Sequence, residues 1–278
     1  MWEGRYAFPK KELQRLDGAI GTLTRQAIDA AYGWKRGKDW NEAVRLLGEA
    51  ARAGEADAAR QYQLITQMDL HTLLTPPPLE PQSTRIKVGI CRGFAPPGFS
   101  EWLIDKAASR LSAATAKGSE DSEVRTARSA AFGPRDRDLI VAVLQERAAR
   151  LTGVPVEFHE PPNALSYEAG QQFKQHVDYI DPRVPEFRTE LEYLGQRTIT
   201  FVTYLNEDFD GVETEFLRAD LKLRGRTGDS IVFLNVLPNG QPDYDTVHCA
   251  PPPTRGRKWV LSQWIRNKPF LFRPEDLP

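Results

Sequence analysis

Between Val154 and Ile265 the chain is a succession of short apolar runs, VPVEFHE, QQFKQHVDYI, RTITFVTYL, DSIVFLNV and RKWVLSQWI, separated by stretches holding glycine, proline, asparagine or aspartate. Short runs rich in valine, isoleucine, phenylalanine and tyrosine are strands, and many short strands with such turns close into a sandwich or barrel. A double-sheet jelly roll fits, because it is antiparallel and leaves a concave interior between its sheets. The N-terminal part reads differently. Leu13, Leu16, Ile20, Leu23, Ala27 and Ala31 recur at helical spacing, as do Trp40, Ala43, Val44, Leu47 and Ala51. A third helical stretch runs from about Ala56 to Met68, and Gly33, Gly37 and Gly54 stand where turns between helices are expected. The proline-rich TPPPLEPQ at 75–82 favours extended backbone and marks a boundary. Beyond it, Arg85 to Cys91 predicts a strand, 96–114 and 134–151 predict helices, and KGSEDSE between them predicts a loop. The expectation is an α+β chain. A double-stranded β-helix (jelly-roll) core with supporting helices occupies 85–278, a linker 75–84, and a helical segment 1–74.

Composition narrows the classes. Hydrophobic residues at 40% and charged residues at 27% suit an ordinary soluble domain, and a net charge of −1 gives no reason to expect nucleic acid. The N-terminus lacks the apolar run of a secretory signal, and no stretch approaches the roughly 20 apolar residues of a membrane span. Cys91 and Cys249 form no CxxC motif, so a reduced, cytoplasmic setting is the expectation, with a Cys91–Cys249 bridge left open.

The chemistry-bearing pattern is His176-x-Asp178, with His248 following 72 residues after His176 and Lys258 ten residues beyond that. Residues two apart on a strand point to one face, so His176 and Asp178 can reach a common ion. Two imidazoles and one carboxylate are the ligand set of a mononuclear iron(II) site that leaves other positions open. A lone HxD occurs by chance. A distant histidine and a lysine at set spacing strengthen it, although His176 could lie at the surface beside Lys174 and Gln175, and His248 could be a satisfied core residue. Strand alternation places Lys258, Val260, Ser262 and Trp264 on one face, and Arg257, Trp259 and Leu261 on the other. It also places Thr198, Thr200, Val202 and Tyr204 together.

Two resemblances follow. Tyr32-Gly33, Asp39-Trp40-Asn41-Glu42-Ala43, Glu49-Ala50-Ala51-Arg52-Ala53-Gly54 and Ala56-Asp57-Ala58 resemble one unit of the Sel-type helical repeat, a relative of the tetratricopeptide repeat. A single unit cannot bury its apolar face alone, so it is expected to pack on the rest of the chain or on a second subunit. A plain helical extension is the alternative. From about Pro97 to Lys268 the chain resembles the prolyl 4-hydroxylase branch of the iron(II)- and 2-oxoglutarate-dependent dioxygenases. The likeness is carried by Arg125-Thr126, Tyr167-Glu168-Ala169-Gly170-Gln171, His176-Val177-Asp178-Tyr179, Tyr204-Leu205-Asn206, Gly211, Glu213-Thr214, Gly228-Asp229, His248, Lys258-Trp259 and Trp264. Val212 departs from the family's usual second glycine, and the insert Asp181 to Leu194 reads equally as a lid or as an inert loop.

The resemblance implies a catalytic and metal set of His176, Asp178 and His248. It implies Fe(II), 2-oxoglutarate and O₂ as cofactors, with ascorbate supportive, and oxidation of a C–H bond with succinate and CO₂ as co-products. It implies Lys258 on the far carboxylate of 2-oxoglutarate, with Thr200 and Tyr204 beside it and Tyr167 near the metal-bound end. A free amino acid, proline-like or other, is the favoured substrate, with Arg125, Arg128, Arg197 and Glu213 as candidate clamps. The alternative is a prolyl hydroxylase acting on a peptide or protein recruited by the N-terminal helices. A non-catalytic barrel with a structural metal is a third reading. No nucleic acid or membrane partner is expected.

Overall fold

The computed structural model describes residues 21–34, 37–114, 125–133, 136–211 and 213–270. Leu13, Leu16, Ile20, the KGSEDSE segment and Val212 lie outside the described residues. Helices α1 (Thr22–Tyr32), α2 (Trp40–Arg52), α3 (Ala58–Ile65) and α4 (Leu70–Leu74) come first. The Asp39 side chain caps α2 by accepting from Glu42 N, and Gly33 ends α1 at φ 75°, a left-handed conformation that a side chain would oppose. Ala27, Ile28 and Ala31 of α1 and Ala43, Leu47 and Ala50 of α2 are buried at the three-to-four spacing of a helical face. They share one core with α6 (Leu139–Thr152) and with Phe201, Trp259, Leu261 and Ile265. The expected packing of this helical unit on the rest of the chain is therefore what the structure shows. Arg147 of α6 ties the two parts further, donating to Phe94 O (2.8 Å) and Leu73 O (2.5 Å).

Two antiparallel sheets follow. The larger has the order β1 (Leu79–Pro81), β2 (Val88–Cys91), β11 (Ser230–Leu234), β7 (Arg197–Tyr204), β14 (Lys258–Arg266), β5 (Asn163–Tyr167), β4 (Arg128–Ala131), β3 (Ser112–Ala113). The smaller has the order β10 (Leu221–Leu223), β9 (Thr214–Phe216), β12 (His248–Ala250), β6 (Phe173–His176). A ribbon of β8 (Phe209–Asp210) and β13 (Arg255–Gly256) lies apart from both. Alternation along β14 sends Trp259 and Leu261 into the helix-backed core, while Val260 joins Val88, Ile90, Tyr204, Phe216, Ile231 and Phe233 in a second core. The jelly-roll expectation and its supporting helices stand, α5 (Phe99–Ala108) and α6 falling inside the predicted ranges to within a residue.

Three local expectations change. The proline-rich boundary is more than a connector, because Leu79–Pro81 pairs with β2 as an edge strand. VPVEFHE is no strand. Pro155 on one side and Pro161-Pro162 on the other remove ladder donors, and Val156–Phe158 forms a 3₁₀ turn. The insert is helical, a turn at Pro185–Phe187 followed by α7 (Arg188–Leu194). Arg266 fixes it by pairing with Glu190 and donating to Gly195 O. No helix among the described residues is long and apolar enough to cross a membrane.

Candidate metal centre

The antiparallel pairing of β12 with β6 sets His248 directly opposite His176, and a bulge follows at once, between His248 and Ala250. Such bulges re-aim side chains beside active sites. Asp178, two residues beyond His176, joins them. One ligand atom from each of the three lies within 4.8 Å of the others. His176 Nε2 is 3.7 Å from Asp178 Oδ1, and His248 Nε2 is 3.9 Å from Oδ2.

What makes this a ligand set is the other side of each ring. His176 Nδ1 is 2.8 Å from Lys174 O, and His248 Nδ1 is 3.0 Å from Thr246 O. A carbonyl only accepts, so each Nδ1 carries a hydrogen and each ring turns its Nε2 toward Asp178. Burial, and then the neighbouring His248, push the His176 imidazolium down, which keeps the ring neutral. Burial alone would raise the Asp178 carboxyl, but His248, His176, Arg197 and the Thr200 hydroxyl together hold it low, so it is a carboxylate. Phe173 stacks on His176 at 3.4 Å between ring centres, and Phe233 meets His248 edge-on at 4.9 Å. The donor set, two oriented imidazoles and one carboxylate, fits Fe(II).

Thr200 is engaged inside the site. Its hydroxyl donates to Asp178 Oδ2 at 2.7 Å and accepts from Asn235 Nδ2 at 2.9 Å, so it braces the carboxylate. Asn235 was missed, and nothing in its run, DSIVFLNV, sets it apart. Tyr204 is engaged too. Its hydroxyl is taken by Thr214 Oγ1 (3.1 Å) and Leu223 O (3.2 Å), and it offers Lys258 its ring instead. Lys258 is only 1% exposed, and its Nζ lies 4.9 Å from the Tyr204 ring centre and 6.0 Å from those of Tyr167 and Phe209. Burial, and secondarily the charge of Arg224, bring its amine down to about 7. Tyr167, opposite Lys258 in the β14–β5 register, is buried and hydrogen-bonded by Arg125.

One pocket holds these groups together. His176, Asp178, His248, Tyr167 and Thr200 line it, and so do Lys258, Val260, Ser262 and Trp264, the face that alternation grouped. Of the four candidate clamps, Arg125 alone lines it, its guanidinium 4.5 Å over the Phe173 ring. Arg197 is instead bound to Glu160 (2.6 and 2.8 Å) and lies 4.0 Å over the Trp264 ring, while Arg128 donates to Leu111 O. Glu160 also accepts from Arg266 at 2.7 Å.

Residues 162–266 match the family model of the 2OG-Fe(II) oxygenase superfamily. The three candidate ligands, His176, Asp178 and His248, all fall inside that match. Fe(II), 2-oxoglutarate and O₂ are the cofactors of that superfamily, as the resemblance implied. Probable prolyl 4-hydroxylase 3 of Arabidopsis thaliana is 33% identical over 166 residues, 53% of this chain and 56% of that protein. The prolyl 4-hydroxylase subunit alpha-1 of Rattus norvegicus is 29% identical over 177 residues, 62% of this chain and 33% of that protein. The chain thus spans about half of the first relative and a third of the second. A viral collagen prolyl hydroxylase from Paramecium bursaria Chlorella virus-1, solved with 2OG, shares the fold at TM-score 0.51 and 22% identity. The match covers 64% of this chain and 94% of that one. The relatives overturn one expectation. "Prolyl" denotes proline within a polypeptide, so the preference for a free amino acid as partner does not stand.

Proposed function

We propose that this protein is an iron(II)- and 2-oxoglutarate-dependent hydroxylase of prolyl residues in a peptide or protein. The observation that carries the reading is the convergence of His176, Asp178 and His248 with both Nδ1 atoms tied to carbonyls. These three would hold the iron, which when bound with 2-oxoglutarate and O₂ supplies the oxidation of a C–H bond. Thr200 keeps the Asp178 carboxylate turned inward, and Asn235 keeps Thr200 turned toward it. Lys258, at the end of the same pocket, offers its ammonium to the far carboxylate of 2-oxoglutarate, a charge-assisted contact strengthened by burial. Val260, Tyr204 and Phe209 surround that contact with apolar surface and exclude water. The relatives' names support a polypeptide substrate.

The test is mass spectrometry of proline-containing peptides incubated with the full chain, Fe(II), ascorbate and 2-oxoglutarate. The expected result is one oxygen gained on a prolyl residue with one succinate formed per oxygen. Succinate release that never depends on peptide, with no oxygen incorporated into any, would refute the reading.

A further inference from the structure

Beyond the floor of the pocket lies a second cavity, of about 780 Å³, lined by Arg92, Glu207, Arg224, Gly225, Arg226 and Asp229. The two cavities share a wall. The Phe209 ring has the Arg224 guanidinium 4.4 Å from its centre and Lys258 Nζ at 6.0 Å. Gly225 packs so closely on Tyr204 that a Cβ there would come 2.7 Å from its Cδ2, and Tyr204 in turn carries Lys258 at 4.9 Å. Arg224 and Gly225 therefore back the aromatic floor on which Lys258 rests.

The carboxylates of this second cavity are engaged from within. Asp229 accepts from Gly93 N (2.9 Å), Arg226 N (3.0 Å) and Arg92 Nη1 (2.8 Å), and Glu207 accepts from Thr227 N (2.7 Å). The Arg224 guanidinium is anchored through Nη2 on Glu207 O (3.2 Å) and Phe209 O (2.6 Å). A guanidinium donates from every nitrogen in a planar fork that suits oxyanions. Three of them around one open cavity, one held by backbone carbonyls, make a site for such a ligand.

We propose that this cavity binds a small multivalent oxyanion, a phosphate or a polycarboxylate, and that its occupancy strengthens 2-oxoglutarate binding across the Tyr204–Phe209 wall. The second half rests on the cosubstrate reading of Lys258, and the first half does not. An anion at Arg224 offsets the positive charge that stands behind Lys258. That charge is, after burial, what most opposes the ammonium form of the lysine.

Calorimetric titration of the metal-free full chain with inorganic phosphate, and separately with citrate, tests the site and distinguishes the two sources. Saturable binding of at least one is expected, at least tenfold weaker in Arg226→Met and severalfold tighter in Glu207→Gln, which removes a lining charge. Binding is expected to persist in Lys258→Met. No saturable binding, an Arg226→Met variant indistinguishable from wild type, or loss of binding in Lys258→Met, which would put the anion in the first pocket, overturns the proposal. For the coupling, 2-oxoglutarate affinity is measured with nickel(II) in excess over phosphate. Phosphate is expected to tighten it two- to fivefold in wild type and not in Arg224→Met. Weaker 2-oxoglutarate binding, the sign of competition, overturns the coupling. An error in the Lys258 reading would show separately, as unchanged 2-oxoglutarate affinity in Lys258→Met.

Discussion

Replacing Thr200 with valine separates two roles for one hydroxyl. Valine keeps the shape and the β-branched strand preference, and removes only the group that donates to Asp178 Oδ2 at 2.7 Å and accepts from Asn235 Nδ2 at 2.9 Å. A hydrogen bond to a charged acceptor contributes about 1.5–3 kcal/mol, or roughly 10–150-fold in an equilibrium constant. Loss of an outer partner of a metal ligand typically weakens metal binding about 10–100-fold. Both routes lead to the same range, so Thr200→Val is expected to bind Fe(II) or its surrogate Mn(II) about 10–100-fold more weakly. Thr200→Ser, which keeps the hydroxyl, is expected to restore most of that affinity. The assay is a metal titration of the variants without 2-oxoglutarate. A metal affinity equal to wild type, with the 2-oxoglutarate KM raised instead, would refute this reasoning and return Thr200 to the cosubstrate.

Lys258→Met is expected to raise the 2-oxoglutarate KM by about 100-fold, from loss of a buried charge-assisted contact, and to leave metal titration unchanged. The pH dependence follows from the same amine, which faces Arg224, Glu213, Cys249 and the Tyr204 and Tyr167 rings and is brought down to about 7. Above pH 7 the ligand-free lysine loses its proton while a bound carboxylate retains it, so 2-oxoglutarate affinity is expected to fall about tenfold per pH unit there. A calorimetric series at constant ionic strength checks the slope. In stability the sign is opposite, because the unfolded lysine holds its proton up to its ordinary 10.5. The ligand-free protein thus gains stability from this group as pH rises from 7 toward 10.5, read as a rising urea midpoint. Glu160→Gln leaves the Arg197 and Arg266 guanidiniums buried without their shared carboxylate, and is expected to cost about 3–5 kcal/mol in urea unfolding.

Much of the site was legible because it depends on strand periodicity and spacing. Lys258, Val260, Ser262 and Trp264 line one pocket as their period of two required, and Trp259 and Leu261 go to the opposite core. His176 and Asp178 also converge, but not by alternation, since β6 ends at His176 and Asp178 follows it in a bend. The roles of Thr200, Tyr204 and Arg197 were not legible, because each is decided by a partner far along the chain. Asp178 takes the Thr200 hydroxyl, Leu223 O and Thr214 take that of Tyr204, and Glu160 takes Arg197. Alternation tells which face a hydroxyl occupies, and not which acceptor arrives there from the facing sheet. The strand expected at VPVEFHE failed for a nearer cause, since apolar content outweighed the flanking prolines in the reading but not in the backbone.

The charges in the pocket bear on how its ligands arrive. Its metal end offers the Asp178 carboxylate and two imidazoles, its far end the buried Lys258 amine, and Arg125 also lines it. A divalent cation alone leaves the pocket with excess positive charge in an environment that screens it poorly, and 2-oxoglutarate alone, a dianion, leaves it with excess negative charge. Together they offset one another. Each is therefore expected to raise the affinity of the other, and reciprocity requires the same factor in both directions. Titrating 2-oxoglutarate into the protein with and without Mn(II), and Mn(II) with and without 2-oxoglutarate, measures that factor. A typical coupling of about 1–3 kcal/mol corresponds to roughly 5–150-fold. Independent binding of the two would mean that the amine at Lys258 and the carboxylate at Asp178 do not act on a common ligand set, and the cosubstrate assignment would have to move elsewhere.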